Sequence, residues 1–185
     1  MEVTKQDATL IKRAQEGDVN AVAELYDRFQ PAIFRYVRTR IYDHQLAQDL
    51  TGEVFLRMVE NLPSYRMMGV PFLAWLYRIA HNQVVNHIRK ETSQTLEPLT
   101  AAAFLPQIEG NPAPSVERKI ELEHILRALE RIDEQQREVL ILRFFVDMPL
   151  KEVADVLGKT VAAVKTLQHR GTLALQTAVK LEPYS

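Results

Sequence analysis

Lys165, Thr166, His169 and Arg170 bring an ammonium, a hydroxyl, an imidazole and a guanidinium together within six residues. On a helix this spacing gathers them on one side. The chemistry open to them is recognition rather than bond-making. The two cations suit phosphates or guanine edges, and the hydroxyl and imidazole can touch base edges. They belong to the run 150–170, which reads as a short amphipathic helix, a glycine turn and a second helix. The second helix is expected to turn Val161, Val164 and Leu167 inward against Leu150, Val153 and Leu157. Gly158 suits a turn that needs positive φ, and Thr160 suits the N-cap. This is a helix-turn-helix able to lay its second helix in the major groove of DNA. Gly158-Lys159-Thr160 does not form a nucleotide phosphate loop. Val153 stands where that loop needs its first glycine, and the preceding run is helical.

A second candidate surface lies upstream. In a helix from Pro71 to Lys90, the apolar residues Phe72, Leu76, Ile79, Ala80 and Val84 cluster on one side. Arg78, Asn82, Asn86 and Arg89 fall within about 80° of one another on the other side. Guanidinium forks and two-way amides suit phosphates and base edges. Before this helix, Tyr65-Arg66-Met67-Met68-Gly69 is a loop with an aromatic ring and a cation, a combination that can hold an unstacked base. Tyr65 and Arg66 therefore join the candidates, while Trp75 reads as core.

These surfaces need a scaffold, and the apolar spacing supplies it. Periodicity is helical nearly throughout, and no segment alternates long enough to be a strand. Asp18 and Asp133 stand where caps are needed, Pro31 is read as a helix start, and Leu46, Leu50, Val54, Met58 and Leu62 line one face of a helix ending at Pro63. Residues 92–115 break the pattern. They hold four of the nine prolines, no Lys or Arg, and only Glu97 and Glu109 as charges. The expected organisation is all-α: a helical domain over 1–91, a flexible linker over 92–115, and a second helical domain over 116–185.

Net charge is −1 for 185 residues, which by itself argues against a polyanion as partner. The distribution reverses that. Residues 61–90 and 156–181 each carry four basic residues and no acid, while 1–60 and 116–155 carry an acidic excess. Local field decides where a polyanion docks. There is no cysteine, so disulfides and thiolate metal sites are excluded. The polar N-terminus and the lack of a long apolar run give no sign of export or membrane insertion, and a cytoplasmic location is expected.

Taken together the chain resembles a bacterial sigma factor of the extracytoplasmic-function group, in the sigma-70 family. Asp49-Leu50-Thr51-Gly52-Glu53-Val54-Phe55 is similar to the helix that docks on the polymerase clamp. Tyr65-Arg66 with Phe72-Leu73-Ala74-Trp75-Leu76-Tyr77-Arg78-Ile79-Ala80-His81-Asn82 resembles the part that melts and reads the −10 element. Arg137 to Arg143, Glu152-Val153-Ala154 and Val164 to Arg170 resemble the domain that reads the −35 element. The resemblance implies core RNA polymerase as partner, through its β′ clamp and β flap, together with promoter DNA and an anti-sigma factor. It implies that Asp49 and Glu53 meet the clamp. Thr160, Lys165, Thr166, His169 and Arg170 meet the upstream duplex. Tyr65, Arg66, Arg78, Asn82, Asn86 and Arg89 meet the melted strand. The linker would thread toward the RNA path. Gly52 departs from the glutamine of many relatives and weakens its helix by up to about 1 kcal/mol against Ala.

Two neighbouring readings are a stand-alone operator-binding regulator and a sigma mimic that only titrates an anti-sigma protein. The acid-free stripe on 71–90 and the linker count against the first, and Lys165 and Arg170 against the second. An enzyme is not expected. Five histidines lack metal-ligand spacing and are expected at the surface or at caps, no Gly-x-Ser-x-Gly occurs, and no cofactor or catalytic residue is assigned.

Overall fold

The computed structural model describes residues 5–66, 70–94 and 116–181, and every regular element among them is helical. The proline-bearing segment from 95 to 115 and the loop residues Met67, Met68 and Gly69 lie outside the described residues.

The N-terminal half comprises α1 (Lys5–Gln15), α2 (Val19–Arg38), α3 (His44–Asn61), a 3-10 turn (Leu62–Ser64) and α4 (Phe72–Gln94). Gly17 at φ 90° closes α1, and Asp18 opens α2, its carboxylate accepting from the Asn20 and Ala21 amides at 2.9 and 3.2 Å. Asp43 caps α3 in the same way, accepting from Leu46 N at 2.7 Å. Leu25, Ile33, Met58, Leu62, Phe72 and Leu76 pack at the centre with essentially no exposure. Gln15 donates from Nε2 to the carbonyls of Leu62 and Tyr65, both at 2.9 Å, and so ties α1 to the start of the loop before α4.

Two boundaries differ from the sequence reading. Pro31 does not begin a helix but lies inside the continuous α2. An interior proline costs about 3 kcal/mol. Pro31 is exposed, while Leu25, Phe29, Ile33, Tyr36 and Val37 bury one long face on both sides of it, and that packing holds the helix through the missing bond. The second difference is at α4, which runs past the expected domain boundary at 91 to Gln94.

The C-terminal half comprises α5 (Val116–Glu130), α6 (Glu134–Leu140) capped by Asp133, a π-helical turn (Ile141–Phe145), α7 (Leu150–Leu157) and α8 (Val161–Leu181). The π turn is closed by Val146 N donating to Ile141 O at 3.1 Å, and Asp147 leaves it at a left-handed φ of 57°. Val139, Leu140, Ile141, Leu142, Val153 and Val164 form the centre of this half.

The halves meet where α4 lies beside α7. Next to that seam the Glu138 carboxylate is buried. It accepts from Tyr36 Oη at 3.0 Å and from His81 Nδ1 at 3.1 Å, and it pairs with Arg40. This corrects the expectation that the histidines sit at the surface. His81 is largely enclosed, and His124 is buried with Nε2 donating to Val179 O at 3.1 Å. Neither environment shows in local sequence, because each partner is more than fifty residues away.

Candidate nucleic-acid interface

The helix-turn-helix is α7, the Gly158 turn and α8. Gly158 adopts φ 62°, and Lys159 N closes the turn on Ala154 O at 2.9 Å. Thr160 caps α8 as expected, its hydroxyl accepting from Ala163 N at 3.2 Å. Val164 is fully buried and Leu167 partly so, which fixes the rotation of α8. Val161, expected inward, is 38% exposed, because in the first turn of α8 it extends beyond the reach of α7. Lys165, Thr166, His169 and Arg170 are all exposed. Thr166 donates its hydroxyl proton to Ala162 O at 3.1 Å, so toward a ligand it offers lone pairs and its methyl group. Two side chains missed in the sequence frame this face: Lys159 donates from Nζ to Gln135 Oε1 at 2.9 Å, bridging the turn to the first turn of α6.

The α4 stripe is presented in the same manner. Arg66, Arg78, Asn82, Asn86 and Arg89 are exposed. Arg78, Asn82 and Asn86 line an open groove of about 430 Å³ with Arg57, Asn61 and Ser64 on the other bank and Trp75, Ile79 and Gln83 along it. The far bank is built from α3 and the 3-10 turn. Asn61 Nδ2 donates to Arg57 O at 2.8 Å and Ser64 Oγ to Asn61 O at 2.8 Å, which aligns three polar residues without using the Arg57 guanidinium. Arg57 was missed because its ion pair with Glu60 at 3.1 Å made it read as helix-surface charge.

Tyr65 departs from the expected arrangement. It is buried, its ring lies 5.2 Å from Phe72 and 4.9 Å from Trp75, and its hydroxyl donates to Val70 O at 3.0 Å. Burial pushes the phenol pKa up. The ring braces both ends of the loop and does not present a face for stacking. Trp75 is half-buried and lines the groove, so it packs as expected and also shapes the surface.

Asp49 and Glu53 stand exposed on α3, one turn apart. Gln45 Nε2 donates to Asp49 Oδ1 at 3.2 Å, and Gln83 Nε2 reaches Glu53 Oε2 at 3.2 Å from α4. Leu56 shares their face at 61% exposure, opposite the buried stripe of Ala47, Leu50, Val54 and Met58. An acidic pair beside an exposed leucine, one turn apart, is an interface pattern that the sequence reading had only half collected.

The model for Sigma-70 region 2 matches residues 25–94, and that for Sigma-70, region 4 matches residues 122–175. The ECF RNA polymerase sigma factor BldN of Streptomyces coelicolor is 35% identical over 175 residues, covering 94% of this chain, and the chain spans 65% of its length. SigD of Mycobacterium tuberculosis, also an ECF RNA polymerase sigma factor, is 34% identical over 180 residues, with 92% of this chain and 82% of SigD covered. Among solved structures, RpoE of Bartonella quintana, in complex with the anti-sigma factor NepR, superposes with a TM-score of 0.71 at 21% identity, covering 89% of this chain and all of that one. CnrH, in complex with the cytosolic domain of CnrY, gives a TM-score of 0.71 at 22% identity, with 95% and 97% covered. With its two halves matching successive sigma regions in the family's order, the chain belongs to the sigma-70 family, among its extracytoplasmic-function sigma factors.

Proposed function

We propose that this chain recruits core RNA polymerase to a set of promoters and opens them by binding alone, without catalysis. The reading rests on one observation: two acid-free cationic stripes stand exposed on separate helical halves, each backed by its own packed face. Lys165, Thr166, His169 and Arg170 engage the −35 duplex, with Thr160 holding the helix start at the groove. Arg78, Asn82, Asn86, Arg89 and Arg66 engage the −10 strand, and Arg57 and Asn61 supply the opposite bank. Tyr65 shapes the loop that receives a base. Contacts to the separated strand offset unstacking of a few kcal/mol, so strand opening is work done by affinity. Asp49 and Glu53, with Leu56, dock on the β′ clamp, and the C-terminal half meets the β flap. The work is done in the cytoplasm, and an anti-sigma factor holds the chain inactive, as NepR and CnrY accompany the two structural neighbours.

Run-off transcription with core polymerase on genomic fragments tests this. Discrete start sites are expected only when the chain is present. Lys165→Ala and Arg170→Ala each weaken promoter use by about 1–3 kcal/mol per base-edge contact, with polymerase binding intact. Polymerase-independent, tight binding to duplex operators would replace this reading with that of a free-standing regulator.

A further inference from the structure

Glu138 is a buried carboxylate whose hydrogen-bond donors come from the other half of the molecule. Tyr36 lies on α2, Arg40 in the connection from α2 to α3, and His81 on α4. The Arg40 side chain is as enclosed as that of Glu138, at 4% and 3% exposure, and its one further acidic neighbour, Glu134 Oε1, is 3.7 Å away. Burial draws the Arg40 pKa down, which shows how far the guanidinium is removed from water. A buried ion of this kind is tolerated only with its partner in place.

We infer that Glu138 is a latch: through Tyr36, Arg40 and His81 it holds the free chain closed, with the C-terminal half seated on the N-terminal half.

The closed arrangement leaves both cationic stripes exposed, so it does not mask the DNA-reading residues. What it restricts is reach. This part of the argument rests on the sigma-factor reading. The −35 and −10 elements are separated by about 25 base pairs, or roughly 85 Å at 3.4 Å per step. A compact chain of this length has a radius of gyration of about 16 Å, and so spans roughly half that distance. The segment from 92 to 115 can extend to about 80 Å, enough to bridge the gap once the halves part. The latch therefore has to break before the chain serves both elements at once. Glu138 lies on α6, away from Lys165 and Arg170, so it can be changed without touching the residues assigned to DNA.

The test uses the full chain alone, with no polymerase or DNA, so its failure would leave the sigma-factor reading standing. The chain has no cysteine. Lys12→Cys and Gln176→Cys, at exposed positions of α1 and α8, place one dye on each half. Wild type should show high energy transfer and a scattering radius near the compact value. Glu138→Gln, and independently Arg40→Gln, should shift the closed-to-open ratio by roughly a hundredfold toward open, the range for orphaning one partner of a buried pair. Transfer should fall and the radius should grow while helix content by circular dichroism stays unchanged. Unchanged transfer in both variants would overturn the latch. Loss of helix content in either would overturn it as well, by showing that the residue supports its own half rather than the seam.

Discussion

Gly52 and Gly171 are both helical glycines, and the structure assigns them opposite responses to the same substitution. A Cβ built at Gly52 on α3 meets nothing within 4 Å. Gly52→Ala therefore removes only the helix penalty of glycine, a gain of about 1 kcal/mol. At Gly171 on α8 a Cβ would stand 3.1 Å from Gln136 Cβ and 3.3 Å from both Leu140 Cγ and Cδ1. The same gain of about 1 kcal/mol is then set against overpacking of about 1–3 kcal/mol in the seam between α6 and α8. The net effect at Gly171 runs from zero to about 2 kcal/mol destabilising. At roughly 2–4 °C per kcal/mol for a chain of this size, Gly52→Ala should raise the transition by about 2–4 °C. Gly171→Ala should leave it unchanged or lower it by up to about 8 °C. Differential scanning calorimetry on the two variants side by side reads this directly. To make room at Gly171, α8 must move off α6 by a few tenths of an ångström, and Arg170 moves with it. Binding to a −35 duplex should therefore weaken in Gly171→Ala and not in Gly52→Ala. A transition raised equally by both substitutions would refute the packing argument.

Two further outcomes follow from the charged residues. Asp49→Arg combined with Glu53→Arg should abolish co-purification with core polymerase while leaving the melting temperature near wild type, since both side chains are exposed; retained co-purification would move the clamp surface elsewhere. His81 should make stability depend on pH. Its pKa is pushed down to about 4, first by burial and then by Arg40, in a site also faced by Tyr36, Glu134, Glu138 and Lys159. Above the free imidazole value of about 6.5, packed and unfolded forms are both neutral at this group and its contribution is flat. As pH falls from about 6.5 through about 4, the unfolded chain takes up the proton first and stability is lost at up to ~1.4 kcal/mol per unit. Denaturant melts of wild type and His81→Gln between about pH 7 and about pH 5.5 should differ in slope, and parallel slopes would contradict the burial of His81.

Local signals made much of this legible in advance. Asp18, Asp133, Thr160 and Gly158 each act within a few residues of themselves, so their capping and turn roles can be read from spacing. The two cationic stripes follow from helical period alone. What the sequence hid depends on chain-distant partners. Tyr65 carries the aromatic character expected of a base-stacking residue, but Phe72 and Trp75 fold over it. Arg57 looks like an i,i+3 surface pair until α3 and α4 face each other across a groove. Glu138 reads as one more acid on an acidic helix, and only the arrival of Tyr36, about a hundred residues earlier in the chain, shows that it is inside.

The wide turn at Ile141–Phe145 sets a limit on length. Its hydrogen bond from Val146 to Ile141 spans five residues instead of four, so this stretch holds one residue more than an α-helix of the same height. Shortening it by a single residue would restore ordinary winding and swing everything downstream by about 100° around the axis. Helix α7 would then leave α4, and α8 would point its cations in another direction. Although Phe144 and Phe145 lie at the surface, where insertions and deletions are usually harmless, this short coil works as a measured spacer, and the aim of the DNA-reading helix depends on its residue count.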